Sequence, residues 1–425
     1  MNIEIKHGRL IDPASGLDQV ADLYLSQGKV AAIGAAPAGF VADKTIDASG
    51  LVVAPGLVDL AARLREPGFE YKATLESEMQ AAVAGGVTSL ACPPDTDPPL
   101  DEPGLVEMLK HRARQLNLAN VYPIGALTQQ LKGQRLTEMA ELTEAGCVAF
   151  SQADNPFESN LSLMRALQYA STFGYGVWLR ARDFGLAAGG VAHDGEVASR
   201  LGLAPVPVVA ETVAISTVLL LVRETGARVH FCRVASAGGL QMIREAKQAG
   251  LPVSCDVSIH HVHLSDIDIG FFDPHFHLVP PLRSTEDRAA IRAALLDGTI
   301  DVICSDHTPV DEDAKLLPFA ESEPGATGLE LLLTLTLKWA EEAKLPLARA
   351  LAKITTESAR VLGIAAGKLA VGETADVCVF DPEREWKVEP KQLVSQGKNS
   401  PFAGLPVRGK VRFTFVNGQL VYAIE

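Results

Sequence analysis

Both ends of the chain carry short runs in which apolar and polar residues alternate. Near the N-terminus these runs cover residues 2–5 and 21–25, and near the C-terminus they cover residues 375–381 and 410–416. Alternation with a period of two is typical of half-buried antiparallel strands. The pair Asn417-Gly418 stands before a further apolar run and predicts a hairpin turn. The pattern therefore predicts a small β-sandwich formed by both termini.

The middle of the chain has a different pattern, in which short apolar runs alternate with longer stretches of helical periodicity. The apolar runs include residues 87–90, 148–150, 176–179, 229–232 and 302–304. Such alternation predicts an α/β fold with a parallel sheet, and the number of repeats favours a closed (β/α)8 barrel of the TIM type. In such a barrel the chemistry belongs at the carboxyl ends of the strands.

These two patterns divide the chain into a discontinuous sandwich and a barrel. We predict the sandwich over residues 1–53 and 366–425 and the barrel over residues 54–365.

Composition and charge narrow the classes of function. The chain has 425 residues, 47% of them hydrophobic, and a formal net charge of −14. An acidic protein lacks the basic face that nucleic acids and membrane surfaces require, so we expect neither as a partner. No apolar run approaches the roughly 18 residues of a membrane span, and residues 1–6 lack the apolar core of a signal peptide. We expect a cytoplasmic protein whose six scattered cysteines are reduced and buried.

Several motifs together resemble the dihydroorotase branch of the amidohydrolase superfamily. They are Pro-Gly-Leu-Val-Asp at 55–59 with Leu-Arg-Glu-Pro-Gly at 64–68, Ala-Gly-Gly-Val-Thr at 84–88, Pro-Pro-Leu-Arg at 280–283, and Ser-Asp-His at 305–307. The resemblance implies a barrel enzyme that binds zinc through a His-x-His pair, two further histidines and carboxylates. Two histidines separated by one strand residue point to the same side and can hold one ion.

The chain departs from that pattern at nearly every ligand position. The first histidine pair is replaced by alanine and arginine, a carboxylate by alanine, and the two later histidines by arginine, leaving one aspartate: the degenerate positions are Ala61, Arg63, Ala153, Arg180, Arg233 and Asp306. Alanine offers no donor atom, and a guanidinium stays protonated and cannot ligate a cation. We therefore expect no bound metal, no other cofactor and no catalytic residues.

Substrate recognition is also altered. The resemblance implies that Arg65 holds the carboxylate of dihydroorotate, and this arginine is retained. Two asparagines of the family pattern are replaced, one by Asp95 and one by Val279. Because an acidic group repels a carboxylate substrate, we interpret all three positions as vestigial.

The three new arginines suggest two hypotheses. Arg63, Arg180 and Arg233 would all face the mouth of the barrel, where they can replace the charge of the metal by pairing with Asp306, Asp59 or Asp95. The structural hypothesis is a set of internal salt bridges. The functional hypothesis is a cationic pocket for a small anion, since the guanidinium fork suits carboxylate and phosphate.

A histidine-rich region offers an alternative metal site. His260, His261 and His263 together with His275 and His277 form two His-x-His units that are able in principle to build a relocated centre with Asp306 or His307. The first unit matches a Pro-His-His-Leu segment that does not ligate metal in the family. We therefore do not favour a relocated metal centre, and we predict that His230 is a satisfied core histidine.

The resemblance extends to noncatalytic dihydroorotase-like subunits that assemble with aspartate carbamoyltransferase. It implies an inactive homologue that acts as a structural or regulatory subunit in pyrimidine biosynthesis, with the transferase catalytic chain as partner and with homo-oligomerisation. Two alternatives stay open: an active metal-dependent cyclic-amide hydrolase of dihydroorotase or hydantoinase type with a displaced metal site, and a metal-free sensor that binds a pyrimidine intermediate.

Overall fold

The computed structural model describes residues 1–424. Numbered in chain order, its strands are β1 (Ile3–Asp12), β2 (Leu17–Ser26), β3 (Lys29–Ile33), β4 (Lys44–Asp47), β5 (Val52–Pro55), β6 (Leu57–Asp59), β7 (Val87–Cys92), β8 (Asn120–Ala126), β9 (Ala149–Ser151), β10 (Gly176–Arg180), β11 (Ala192–His193), β12 (Pro205–Val206), β13 (Arg228–Cys232), β14 (Val253–Ser258), β15 (Val302–Cys304), β16 (Val377–Lys387), β17 (Pro406–Val416) and β18 (Gln419–Ala423).

The α-helices of this part of the chain are α1 (Leu75–Ala84), α2 (Pro103–Leu116), α3 (Met139–Ala145), α4 (Asn160–Phe173), α5 (Glu196–Leu201), α6 (Val209–Thr225), α7 (Ala237–Gln248), α8 (Ile259–His263), α9 (Thr285–Asp297), α10 (Leu332–Glu342), α11 (Leu347–Ala352) and α12 (Thr356–Leu362). Within residues 1–424, none of them combines the length and the apolar character that a membrane crossing requires.

Strands from both termini share one sheet. Its order is β18-β17-β16-β5-β1-β2-β3, with β4 paired to β1. Apolar side chains from both ends of the chain, among them Ile3, Leu23, Val377 and Phe415, form a core of their own. Val416 pairs with Gln419 across the predicted Asn-Gly turn, so the hairpin is confirmed.

The middle of the chain forms the parallel barrel that the sequence predicts. Its strand order is β15-β14-β13-β10-β9-β8-β7-β6. A parallel bridge between Ala62 and His307 joins the residues that follow the first and last strands. The apolar segment at the start of α10 faces the core, since Leu332 and Leu335 are fully buried.

The two units are tightly connected at Gly56, which lies between β5 of the terminal sheet and β6 of the barrel. A Cβ atom at this position would lie 2.1 Å from Oγ1 of Thr88, so only glycine fits. The C-terminal segment then returns to the barrel mouth before β17. There the amide of Asn399 donates to the carbonyl oxygens of Thr308 at 2.9 Å and Gly325 at 3.0 Å.

Candidate functional site at the barrel mouth

The three arginines predicted to face the mouth lie at or just beyond the carboxyl ends of barrel strands. Arg180 is the last residue of β10, Arg233 directly follows β13, and Arg63 lies four residues after β6. Asp306 lies two residues after β15. Because all strands of the barrel run in parallel, these ends meet at one face, where barrel enzymes place their chemistry.

Asp154 occupies the centre of this arginine cluster. One of its oxygens, Oδ1, accepts from Arg180 Nη1 at 3.1 Å and from Arg233 Nη2 at 2.9 Å. The other, Oδ2, accepts from Arg63 Nη2 at 2.7 Å. A single carboxylate therefore bridges three guanidinium groups.

Two further carboxylates complete the cluster. Asp95 Oδ2 accepts from Arg63 Nε at 2.8 Å, and Asp306 Oδ1 accepts from Arg233 Nη1 at 3.1 Å. The cluster therefore holds three cations and three anions in mutual contact. The predicted pairing is confirmed for Asp95 and Asp306.

The arginine side chains of these pairs are largely buried, which strengthens the attraction between the charges but also removes them from water. Relative exposure of the arginine side chains is 13% for Arg63, 6% for Arg180 and 8% for Arg233. Charges removed from water carry a large desolvation cost that only well-placed partners offset. The equal numbers of opposite charges favour the structural hypothesis for these arginines over a vacant anion pocket.

The protonation of the cluster follows from this balance. Burial would raise the pKa of Asp154, but the charges of Arg233, Arg180 and Arg63 outweigh it and hold the pKa well below its usual range. Burial lowers the pKa of Arg180 to about 10 against the opposing effect of Asp154. For Arg233, Asp154 and Asp306 outweigh burial and raise the pKa. All three arginines and Asp154 are charged at neutral pH.

The predicted pairing of an arginine with Asp59 is wrong. This carboxylate is fully buried at the end of β6, where it accepts from the amide of Ser305 at 2.7 Å and from its hydroxyl at 2.5 Å. Burial raises its pKa in spite of these bonds. Asp59 holds the loop after β15 in place and takes no part in the arginine pairs.

The backbone of the site is left-handed at four positions. The φ angles are 62° at Arg65, 50° at Ala153, 55° at Arg233 and 49° at Asp306. Such angles are uncommon for residues other than glycine, and they cluster at functional sites where the surrounding structure fixes them. Three of the four positions, Ala153, Arg233 and Asp306, belong to the degenerate ligand set.

A buried network beneath Arg233 fixes its unusual backbone. Asp256 Oδ1 accepts from the amide of Arg233 at 2.6 Å, and its other oxygen pairs with His230 Nε2 at 2.9 Å. The second ring nitrogen of His230 bonds to Ser254 Oγ at 2.8 Å. His230 is therefore the satisfied core histidine that the sequence predicts.

A second buried network supports the loop that carries Asp306. His307 Nε2 bonds to Glu78 at 2.5 Å, and Glu78 also accepts from the hydroxyl of Ser395 at 2.6 Å. Burial would raise the pKa of Glu78, but His307 and Ser395 outweigh it and lower that pKa. This network joins the barrel to the C-terminal segment.

The positions implied as zinc ligands do not fit a metal ion. Ala61 and Ala153 have no donor atoms, and Arg63, Arg180 and Arg233 direct protonated nitrogens at carboxylates. Asp306 alone has ligand chemistry, and Arg233 bonds to it. Zinc normally takes four ligands from sulfur, nitrogen and oxygen, and this set supplies one.

The histidine-rich region does not assemble the alternative metal centre. Three of its histidines bond to carbonyl or hydroxyl oxygens: His261 to Pro281, His263 to Leu335 and His277 to Ser322. His275 pairs with Asp273, while both nitrogens of His260 are buried without a partner.

One other group in residues 1–424 has donor atoms close enough for a metal. His230, Cys232 and Asp256 have ligand atoms within 4.8 Å of one another. His230 and Asp256 already bond to each other in the network beneath Arg233.

The three substrate positions that we interpret as vestigial are engaged in other contacts. Arg65 donates from Nε to the carbonyl of Pro309 at 2.8 Å, and its nearest carboxylate oxygen, on Glu323, lies 3.9 Å away. Asp95 is bound to Arg63. Val279 lines a cavity of about 20 Å³ beside Arg180 and Arg283, which holds at most one water molecule.

Sequence comparison missed the central residue of the cluster. The aligned carboxylate position falls on Ala153, so the family pattern does not single out Asp154, one residue later. The signal that identifies it is local: an acidic residue directly follows the position at which the family pattern has an acidic ligand. Thr308, which accepts from Arg63 Nη1 at 3.0 Å, was likewise missed.

Comparisons with known proteins agree with this architecture. Residues 50–238 match a family model described as dihydro-orotase-like, and residues 209–421 match one described as amidohydrolase family. A dihydroorotase-like protein of Pseudomonas aeruginosa is 48% identical over 422 residues, covering 99% of this chain and 100% of the relative. A protein of Geobacter metallireducens named dihydroorotase is 41% identical over 99% of this chain and 100% of the relative.

Among solved structures, the L-hydantoinase (dihydropyrimidinase) of Arthrobacter aurescens superposes with a TM-score of 0.89 at 28% identity, covering 99% of this chain and 96% of that chain. The match in barrel, terminal sandwich and sequence spans nearly the whole length of both proteins. The chain belongs to the dihydroorotase-like branch of the amidohydrolase family.

Proposed function

We propose that this chain is a noncatalytic member of its family and acts as a structural or regulatory subunit. The observation that carries the proposal is the arginine cluster, in which guanidinium groups occupy the positions of metal ligands and are bound to Asp95, Asp154 and Asp306. Metal-assisted hydrolysis of a cyclic amide requires a metal-activated water. Protonated guanidinium groups cannot bind the metal that would activate it.

The charge balance of the mouth supports a site adapted to the absence of metal. Loss of a divalent ion alone would leave several buried carboxylates uncompensated, at a cost on the order of several kcal/mol. Here three arginines supply that compensation within hydrogen-bond distance. The barrel can then stay folded and rigid while it serves as a surface for assembly.

The partner we propose is the catalytic chain of aspartate carbamoyltransferase, in pyrimidine biosynthesis. Support comes from resemblance to noncatalytic dihydroorotase-like subunits. Two Pseudomonas relatives that match this chain from end to end, at 48% and 47% identity, carry the name dihydroorotase-like protein.

Co-expression with the transferase catalytic chain from the same source tests this proposal. The mass of the product and its transferase activity are compared with those of each chain alone and of the two chains mixed after separate purification. We expect a stoichiometric complex in which transferase activity differs from that of the catalytic chain alone. Two separate proteins with unchanged transferase activity would overturn the proposed partner.

The second candidate is an active metal-dependent cyclic-amide hydrolase, favoured by the likeness to the Arthrobacter aurescens L-hydantoinase over 99% of this chain. It requires a metal held outside the positions of the arginine cluster. Hydrolysis of dihydroorotate, hydantoin or allantoin that is lost on chelation and restored by zinc would establish this function in place of the first.

A further inference from the structure

A cavity of about 290 Å³ lies beside the arginine cluster. Its walls come from the loop between β9 and α4, the end of β10 and the helix α6. This volume is near the lower end of the range for small-molecule sites, which begins at about 300 Å³. The cavity therefore has room for a ligand of about one ring.

The cavity has the mixed lining that is typical of ligand sites. Its apolar lining includes Phe157, Leu163, Leu179 and Val218. The polar groups at the cavity include the amides of Asn155 and Asn160, the hydroxyl of Thr217 and the guanidinium of Arg182. A few polar groups that converge on an apolar pocket fix the orientation of a bound molecule.

Arg182 differs from the arginines of the cluster because it has no carboxylate partner among the ion pairs of residues 1–424. Its Nε is buried and makes no hydrogen bond. Its Nη2 makes one long bond of 3.5 Å to the carbonyl of Ala187, and its guanidinium carbon lies 5.2 Å from the ring centre of Phe184. Its Nη1 makes no hydrogen bond within residues 1–424 and is not among the buried unpaired atoms, so it is a donor that a ligand oxygen can reach.

The acidic residue at the cavity does not neutralise this guanidinium through a direct bond. Asp183 also lines the cavity, but its Oδ1 accepts from the amide of Leu186 at 2.8 Å. Arg180, which lines the same cavity, is bound to Asp154 and is unavailable to a ligand anion. Arg182 is therefore the cation of this cavity that can bind one.

We propose that this cavity binds a small carboxylate that carries an apolar body of about one ring. Arg182 binds the carboxylate through its guanidinium fork, which matches the two oxygens of a carboxylate. The apolar wall covers the body of the ligand, and burial of that surface adds to affinity. This site is separate from the proposed subunit function, because it requires neither a metal nor a transferase partner.

Calorimetric titration of the full chain with benzoate tests the proposal. Benzamide, which has the same shape without the charge, and acetate, which has the charge without the ring, serve as ligand controls. We expect saturable benzoate binding with a dissociation constant in the millimolar range or tighter, and binding of each control that is weaker by about tenfold or more.

Two variants locate the binding. Arg182→Gln removes the cation and Ala214→Phe fills the cavity, and each should weaken benzoate binding by about tenfold or more. Arg165→Gln, which changes an exposed arginine of α4, is the matched control and should bind as the parent does. Circular dichroism and thermal melting establish that each variant is folded.

Three results would overturn the proposal. They are the absence of saturable benzoate binding by the parent chain, equal binding of benzamide and benzoate, and unchanged benzoate affinity in folded Arg182→Gln and Ala214→Phe proteins. Because the titration contains no transferase chain, each of these results leaves the proposed subunit function unaffected.

Discussion

Arg180 and Arg182 lie two residues apart at the end of the same barrel strand, yet their surroundings are opposite. Arg180 is 6% exposed and bound to Asp154 within a charge-balanced cluster. Arg182 lines a neighbouring cavity, and its Nε has no hydrogen-bond partner. The difference teaches that an arginine near the mouth of this barrel is not by itself an anion site, because the groups already bonded to its guanidinium decide whether it can bind a ligand.

The largest effect is expected when the cluster loses its central carboxylate. In Asp154→Asn, three guanidinium groups stay close together without their shared partner, so the free energy of unfolding should fall by about 3 kcal/mol. The lower end of the range for buried pairs applies because the Asp154 side chain is 27% exposed. Urea unfolding at neutral pH measures the change.

Asp313→Asn is the matched control for that experiment. Asp313 is exposed in the short 3₁₀ helix Glu312–Lys315, and its substitution should change the free energy of unfolding by less than about 0.5 kcal/mol. If the two variants unfold at the same urea concentration as the parent, the cluster is not the stabilising feature described here.

A double-mutant cycle measures the pairing within the cluster. Arg233→Met and Asp306→Leu each leave a buried charge with fewer partners, whereas the double variant removes one charge of each sign. We expect a coupling energy of about 2 kcal/mol between the two sites. The exposed pair of Arg9 and Asp18 is the control and should give less than about 1 kcal/mol. Equal coupling at both pairs would contradict the role of burial.

The cluster and the histidine-rich region should affect the free energy of unfolding in different ranges of acid pH. Burial lowers the pKa of His260, His261, His263 and His277 to about 4. The unfolded chain therefore binds more protons than the folded one below about pH 6.5, and stability falls from there towards pH 4. Asp376, whose pKa burial raises to about 6, opposes this trend, as do Asp59, Asp266 and Glu330, whose pKa values burial also raises.

His260→Leu should reduce the slope of the unfolding free energy by about 1 kcal/mol per pH unit in that window. His111→Gln, at an exposed position of α2, should leave the slope unchanged. Asp154 acts in a different window, because its lowered pKa gives stability that is lost only as the pH falls below about 4. An unchanged slope in His260→Leu would show that this histidine is not held neutral by burial.

The smallest effect is expected at Arg182. Because it makes no ion pair among the described residues, Arg182→Gln should change the free energy of unfolding by no more than about 0.5 kcal/mol. The same urea experiment compares the free energy of unfolding of this variant with that of Asp154→Asn, and so compares the two arginine environments. A loss as large as that of Asp154→Asn would place Arg182 among the structural arginines.

The barrel and terminal sandwich were predictable because periodic apolar patterns report directly on buried faces. The pairs of Arg63 with Asp95 and of Arg233 with Asp306 were also predictable, since parallel strands bring their carboxyl ends together. Asp154 was not. The strand β9 ends at Ser151, and the left-handed backbone at Ala153 breaks the alternation that would show which side chain enters the mouth.

The contacts of Asp59 and Arg182 were also not predictable from the sequence. Asp59 is the last residue of β6, and its carboxylate bonds to Ser305, a contact between distant parts of the chain that a motif does not reveal. The sequence shows an arginine at position 182, but its lack of an ion-pair partner depends on contacts that only the folded chain defines.

The measurement that tests the central claim most directly is the zinc content of the chain purified from zinc-supplemented cells, with dihydroorotate hydrolysis assayed on the same sample. The arginine cluster predicts zinc well below one ion per chain and hydrolysis no faster than in buffer. Stoichiometric zinc, with hydrolysis that chelation abolishes and Asp306→Asn removes, would contradict the account.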